Sequence, residues 1–264
     1  MKNRIDKELV NRNLVPTRSK AQELIHSKKI KCNGKIISKC NFLVSESDEL
    51  NVLENDTLKY VSRGGLKLEK AIHEFHLDFS NLNVMDIGSS TGGFCDCALK
   101  HGAKKIIAID VGTNLLHDSL KKDPRIELHE QTNFKELDKS YFEGIDIITV
   151  DVSFISLLKV IEKVSSLNIK IDFICLIKPQ FECGKEIATQ YKGVILNKKV
   201  HYEIITNLIQ KINKYGFYLQ NITSSPIRGG DGNIEYISFI TNKQLSNGKF
   251  NVEKIIYNAF NDKK

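Results

Sequence analysis

The 264-residue sequence has no long apolar run. A membrane-spanning helix needs roughly 18 or more nearly uninterrupted apolar residues. The longest runs here, such as Phe173-Ile174-Cys175-Leu176-Ile177, are strand-sized. The charges of Lys2-Asn3-Arg4-Ile5-Asp6-Lys7 are not followed by an apolar stretch, so no secretory segment is expected. The six cysteines are scattered. Cys95 and Cys97 are spaced C-x-C, and no His/Cys cluster has zinc-ligand spacing. Reduced thiols in a packed, cytoplasmic protein that needs no metal are expected. Internal repeats and low-complexity tracts are also absent, while 41% hydrophobic and 27% charged residues fit a globular chain. The length suits one large domain plus a small one.

Positive charge is present, and it is concentrated. The total is +7. Residues 1–40 hold eleven Lys/Arg against three acids, a local +8 that leaves −1 for the remainder. That asymmetry points to a polyanion partner, nucleic acid above all. Ile5, Leu9 and Val10 recur at helical spacing, with Asp6, Lys7 and Glu8 expected outward, and Pro16 is expected to end that helix. Thr17 or Ser19 can cap a second helix whose apolar stripe is Ala21, Leu24 and Ile25, leaving Arg18, Lys20 and Lys28 toward solvent. Asn33-Gly34, between Lys29–Cys32 and Lys35–Ile37, signals a hairpin, because a type I′ turn needs positive φ at both central residues. Ser45–Glu49 reads as an acidic, polar hairpin.

Two short helices and a hairpin with cations on the connecting surface resemble the RNA-binding domain named after ribosomal protein S4. The resemblance rests on Arg4-Ile5-Asp6, Thr17-Arg18-Ser19-Lys20-Ala21, Leu24-Ile25 and Lys31-Cys32-Asn33-Gly34-Lys35. Lys28 stands where members of that family often have Gly. The resemblance implies binding of structured RNA, with Arg4, Arg18, Lys20, Lys28, Lys31 and Lys35 as candidate contacts. The segment has few aromatics, so phosphate and shape contacts fit better than base stacking. The domain is expected over residues 1–59, with a linker at about 58–62 and a second domain over 60–264.

Beyond residue 62, apolar strands alternate with helices. Helices are expected at 66–75, 94–101 and 198–215, and strands at 83–87, 105–110, 145–150, 171–177, 218–224 and 236–241. Such alternation predicts an α/β, doubly wound, Rossmann-like sheet. The last two strands are joined by a loop, which predicts an antiparallel last strand. Ligands bind such sheets beyond the strands' carboxyl ends, near the switch point. There Asp86-Ile87-Gly88 leads into Ser89-Ser90-Thr91-Gly92-Gly93-Phe94, and Asp110 follows Gly88 by 22 residues, where an acid can hold a ribose diol. The turn is neither G-x-G-x-x-G nor a P-loop, so a phosphate-free adenosine cofactor, S-adenosylmethionine, fits best. Asp86 is expected near the methionine amine and Asp110 on the ribose. Gly88, Ser89, Ser90, Thr91, Gly92, Gly93, Phe94 and Val111 complete the cofactor set.

Four charged residues stand out by position: Lys67 on the helix before the first strand, Asp151 and Lys178 at strand carboxyl ends, and Glu235 at the start of the last strand. From Ser62 the chain resembles the FtsJ-type ribose methyltransferases. Both domains together resemble the TlyA family of ribosomal RNA 2′-O-methyltransferases, also labelled hemolysins. The motifs are Asp86–Phe94, Asp151-Val152-Ser153-Phe154-Ile155-Ser156, Lys178-Pro179-Gln180-Phe181-Glu182 and Gly232-Asn233-Ile234-Glu235-Tyr236. The resemblance implies a catalytic Lys67-Asp151-Lys178-Glu235 tetrad and ribosomal RNA or ribosomal subunits as partner, with cytidine in 16S or 23S RNA as target. Arg63 joins the RNA-contact candidates.

The chemistry suits these residue types. A ribose 2′-hydroxyl must lose its proton as it attacks a sulfonium methyl, and a lysine accepts a proton only where burial or a neighbouring cation makes its ammonium more acidic. Lys178 is expected to be the base or oxyanion stabiliser, positioned by Asp151, with Lys67 and Glu235 orienting the ribose; the alternative exchanges the lysines. Cys95, where many relatives carry Thr, is expected to affect packing only. Rival readings are a membrane-active cytolysin, for which no amphipathic or spanning segment is seen, and a non-catalytic ribosome-assembly factor. An amino-methyltransferase would carry an Asn/Asp-Pro-Pro-aromatic turn where Asp151-Val152-Ser153-Phe154 stands.

Overall fold

The structure is a computed structural model, and it describes residues 2–12, 14–15, 17–53 and 59–262. Pro16, the expected end of the first helix, and Leu58, the start of the expected linker, lie outside the described residues, as does the Ser19 side chain. The chain divides into two compact units, residues 1–59 and 60–264.

In the first unit, β1 (Asn3–Arg4) runs into α1 (Ile5–Asn11), followed by α2 (Arg18–His26). Thr17 Oγ1 accepts from the Lys20 amide at 3.2 Å and so caps α2. Next come β2 (Ile30–Cys32), β3 (Lys35–Ile37), β4 (Leu43–Val44) and β5 (Leu50–Val52). β2 and β3 pair antiparallel, with Asn33 at φ +47° and Gly34 at φ +78°, the turn the dipeptide predicts. Lys28 holds φ +60°, a conformation in which glycine is favoured. Ile5, Leu9, Leu24, Ile25 and Ile30 are fully buried and form the core.

Two expectations fail here. Ser45–Glu49 is a turn but not a hairpin, since β4 pairs with β1 and β5 with β2. Asp48 shapes it by accepting from the Ser45 amide at 2.7 Å and the Asn33 amide group at 2.8 Å. Asp6 and Glu8 do not face solvent: Asp6 is fully buried and Glu8 nearly so. Their carboxylates are covered by basic side chains instead, Asp6 by Arg4 and Arg18, Glu8 by Arg12.

The second unit contains α3 (Gly64–Glu74), β6 (Asn83–Ile87), α4 (Gly93–Lys100), β7 (Lys105–Ile109), α5 (Asp118–Lys121), β8 (Ile126–His129), β9 (Ile147–Val150) and α6 (Leu157–Ser166). It continues with β10 (Asp172–Ile177), α7 (Pro179–Glu182), α8 (Gly184–Gln190), α9 (Lys198–Lys214), β11 (Tyr218–Ser224), β12 (Tyr236–Thr241) and α10 (Val252–Asn261). One seven-stranded sheet has the order β11-β12-β10-β9-β6-β7-β8. β6 to β10 run parallel, and β12 is antiparallel to both neighbours. This is the doubly wound sheet with an antiparallel last strand that the sequence predicts. The central strands are continuous apolar runs because helices cover both faces. Leu68 and Ala71 of α3 and Phe94 and Ala98 of α4 pack on one face. Val160 of α6, Ile205 of α9 and Ile256 of α10 pack on the other. Strand order reverses between β6 and β9, which places the switch point beside Gly88 and Asp151.

Candidate active site

The glycine turn leaves β6 at Gly88, whose φ is +83°. A Cβ at that position would lie 2.8 Å from the Asp151 carbonyl oxygen, so this crossing of two strand ends requires glycine. Gly93 is likewise crowded, since its Cβ would lie 2.9 Å from the Gly65 amide of α3. The close approach brings α3, the β6 turn and the end of β9 around one cavity of about 850 Å³. Its wall includes Lys67, Asp151, Lys178 and Glu235.

These four side chains form a continuous line. Glu235 Oε2 lies 2.7 Å from Lys67 Nζ, which lies 3.6 Å from Asp151 Oδ2. The other oxygen, Asp151 Oδ1, lies 2.6 Å from Lys178 Nζ. Lys178 also donates to Ser153 Oγ at 3.2 Å. Lys67, Lys178 and Glu235 are buried, and Asp151 is more open, its side chain 22% exposed. Two ammonium groups thus alternate with two carboxylates. Alternation lets charges share a low-dielectric pocket that none could enter alone.

Of the cofactor candidates, Asp86, Gly88, Ser89, Ser90, Thr91, Gly93 and Phe94 line the cavity, whereas Gly92, Asp110 and Val111 do not. Asp86 is 1% exposed. It accepts from Thr149 Oγ1 at 2.7 Å and from Cys95 Sγ at 3.0 Å. Burial raises its pKa to about 6, against the pull of those two hydrogen bonds. Cys95 therefore does more than pack: it helps to hold the Asp86 carboxyl. Asp110 accepts from the backbone amides of Ser90 and Gly112, each at 2.8 Å, and so fixes the turn from the side. Each carboxylate oxygen has a further lone pair. Ser89 Oγ is buried and has no hydrogen-bond partner among the described residues. These donors and acceptors suit a zwitterionic, phosphate-free nucleoside.

Two phenylalanines outside the candidate set also line the cavity. Phe154 is 91% exposed and sits at φ +64°, a strained value for an aromatic residue. Its ring centroid is 5.2 Å from that of Phe181, and both line the cavity. Phe154 lies inside Asp151–Ser156, but its backbone conformation is not legible there. Arg228, Gly229 and Asp231 from the loop before β12 close another side. Arg63 is exposed on the rim.

In the first unit, Arg4 and Arg18 converge on Asp6, at 3.0 and 2.9 Å, with their side chains 41% and 49% exposed. Their bonds hold Asp6 well below the usual carboxylate range, even though burial opposes this. Lys28 and Lys35 are exposed, and Lys20 and Lys31 are half-buried.

A family model described as FtsJ-like methyltransferase matches residues 60–241, and an S4 domain model matches residues 3–50. The chain belongs to the TlyA family of FtsJ-like methyltransferases. It is 38% identical to the 23S rRNA (cytidine-2′-O)-methyltransferase TlyA of Campylobacter jejuni, over 87% of this chain and 96% of that one. It is 41% identical to Hemolysin A of Brachyspira hyodysenteriae, over 89% and 98%. A solved structure described as a candidate hemolysin from Streptococcus thermophilus superposes with TM-score 0.76 at 33% identity, covering 98% of this chain and 95% of that one. The protein is a methyltransferase, and its methyl donor is S-adenosylmethionine.

Proposed function

We propose that the protein methylates the ribose 2′-oxygen of a cytidine in ribosomal RNA. The observation that carries this reading is the Glu235–Lys67–Asp151–Lys178 line at the sheet's switch point. Residues 1–59 serve as the RNA-binding domain and residues 60–264 as the catalytic domain. When bound, S-adenosylmethionine supplies an electrophilic sulfonium methyl. Asp86 and the cavity-lining residues of the 88–94 turn would hold its amino-acid end, and Asp110, beside that turn but not on the cavity wall, would reach the ribose with its remaining lone pairs. Lys178, as the neutral amine left once its ammonium has given a proton to solvent, would take the proton of the 2′-hydroxyl as that oxygen accepts the methyl, leaving S-adenosylhomocysteine as a neutral thioether. Asp151 aims Lys178, while Lys67, tied to Glu235, orients the ribose and balances the charge. Each carboxylate of the line is paired with a lysine, and the scheme draws on no metal. Phe154 and Phe181 offer an apolar face beside Lys178 against which a base drawn out of the RNA can stack.

The relatives' names carry 23S rRNA alone or 16S and 23S rRNA together, so both are substrates to test, 23S first. The test is ribose-methylation mapping by mass spectrometry on ribosomal RNA incubated with wild-type protein or Lys178→Ala. Wild-type should add one 2′-O-methylcytidine, and Lys178→Ala should add none while still binding S-adenosylmethionine. Turnover retained by Lys178→Ala refutes the role given to Lys178. Methyl found on a base refutes ribose transfer.

A further inference from the structure

Away from the catalytic cavity, Glu69 and His73 of α3 meet His101, the residue that closes α4. Glu69 and His73 are four residues apart, hence on one helix face. The three ligand atoms lie within 4.8 Å of one another. His73 Nε2 is 3.9 Å from Glu69 Oε1, and the two imidazoles meet edge to face at 6.1 Å.

The surroundings prepare these groups for a cation. His101 Nδ1 lies 2.8 Å from the Cys97 carbonyl oxygen. A carbonyl only accepts, so Nδ1 is the donor nitrogen, and in the neutral ring Nε2 is the one with a lone pair for a metal. A backbone carbonyl on the second ring nitrogen is the usual partner of a metal-bound histidine. The Tyr60 hydroxyl lies close to the Glu69 carboxylate and the Cys97 thiol, on the buried side of the cluster. Two lysines lie near in sequence and are held by other groups: Lys70 by Glu74 and the Ser224 carbonyl, Lys100 by Asp96. Two imidazoles and one carboxylate form a borderline donor set, suited to zinc and to cobalt as its probe. Metal–ligand bonds of about 2.0–2.2 Å require only modest side-chain rotation to close.

We propose that Glu69, His73 and His101 form a zinc site that ties α3 to α4, with a water as fourth ligand. The tie joins the helix carrying Lys67 to the helix that begins in the glycine turn. It is a structural clamp outside the methyl-transfer chemistry.

The test uses the full chain, stripped with chelator, loaded with zinc sulfate, desalted and read by elemental mass spectrometry. Cobalt(II) absorption and thermal melting with zinc or chelator supply independent readouts. The proposal expects one zinc per chain, an intense visible cobalt band, and a higher melting temperature in zinc. His73→Ala, at an exposed position, should keep the melting temperature seen in chelator. It should weaken zinc binding by at least about tenfold and abolish the zinc-dependent rise. His101→Ala should lose the same signals. Failure of wild-type to retain an equivalent of zinc overturns the site. So does undiminished zinc in His73→Ala, which would move the ion elsewhere, for instance to His26 and Cys40, whose Nε2 and Sγ lie 3.5 Å apart.

Discussion

Single residues in this protein are defined by what they neutralise. Lys67 is the partner of Glu235, which is 3% exposed. Lys67→Met strands that carboxylate, and a loss of about 3–5 kcal/mol is expected in urea unfolding. Lys67→Met combined with Glu235→Gln should lose much less, because neither charge is then left alone. Asp86 and His201 make opposite contributions to pH dependence. Asp86 has a native pKa of about 6 against an ordinary 3.8, so the folded state holds its proton more tightly. Its ionisation removes stability as pH rises from about 4 to about 6, and that cost is fully present above this window. Asp86→Asn should flatten the stability curve there. His201 is buried between Tyr236 Oη at 2.8 Å and the Ile195 carbonyl at 2.9 Å, and burial lowers its pKa. The unfolded chain therefore takes up a proton first, and stability falls as pH drops through the ordinary histidine value of 6.5. His201→Gln should lessen that acid-side fall. Denaturant midpoints measured across pH 4–8 separate the two effects.

At the level of elements, β6, β11 and β12 were legible to the residue: β6 and β12 are mostly apolar runs and β11 alternates apolar with polar residues, each bounded by turn residues. β8 was missed: four residues with Glu127 and His129 among them carry little pattern, and pairing with β7 decides the strand. α6 was missed although its signals are local. Ser156 Oγ accepts from the Leu158 amide at 3.1 Å, and Leu157, Val160, Ile161 and Val164 form the buried stripe. α10, capped by Asn251, follows the last strand and was passed over. Asp6 was misplaced because helical spacing alone cannot show that Arg4, Arg18 and Gln22 all bond to its carboxylate. That buried carboxylate predicts a functional effect. Asp6 pre-orients two arginines, so Arg18→Ala should weaken RNA binding across sequences and reduce the slope of log affinity against log salt by about 1. Asp6→Asn should reduce affinity with less change in slope, since both guanidinium charges remain. Fluorescence anisotropy over a salt series reads both.

For the whole molecule, the four charged residues come from α3, the ends of β9 and β10, and the start of β12, so no single element contains the site. Their residue types, and their placement on the helix before the first strand and at strand ends, were legible. Their order along the line, with Asp151 touching both lysines, depends on the sheet and was not. Neither was the strained Phe154 at the cavity mouth. Phe154→Ala should leave S-adenosylmethionine affinity unchanged and lower methyl transfer to RNA, about 1–3 kcal/mol of stacking being lost. The account rests most directly on Asp151, whose two oxygens hold both lysines. The decisive measurement is single-turnover methyl transfer to ribosomal RNA by Asp151→Asn, with S-adenosylmethionine binding measured in parallel. The account predicts intact cofactor binding and a rate lowered by at least about 100-fold; an unchanged rate would contradict it.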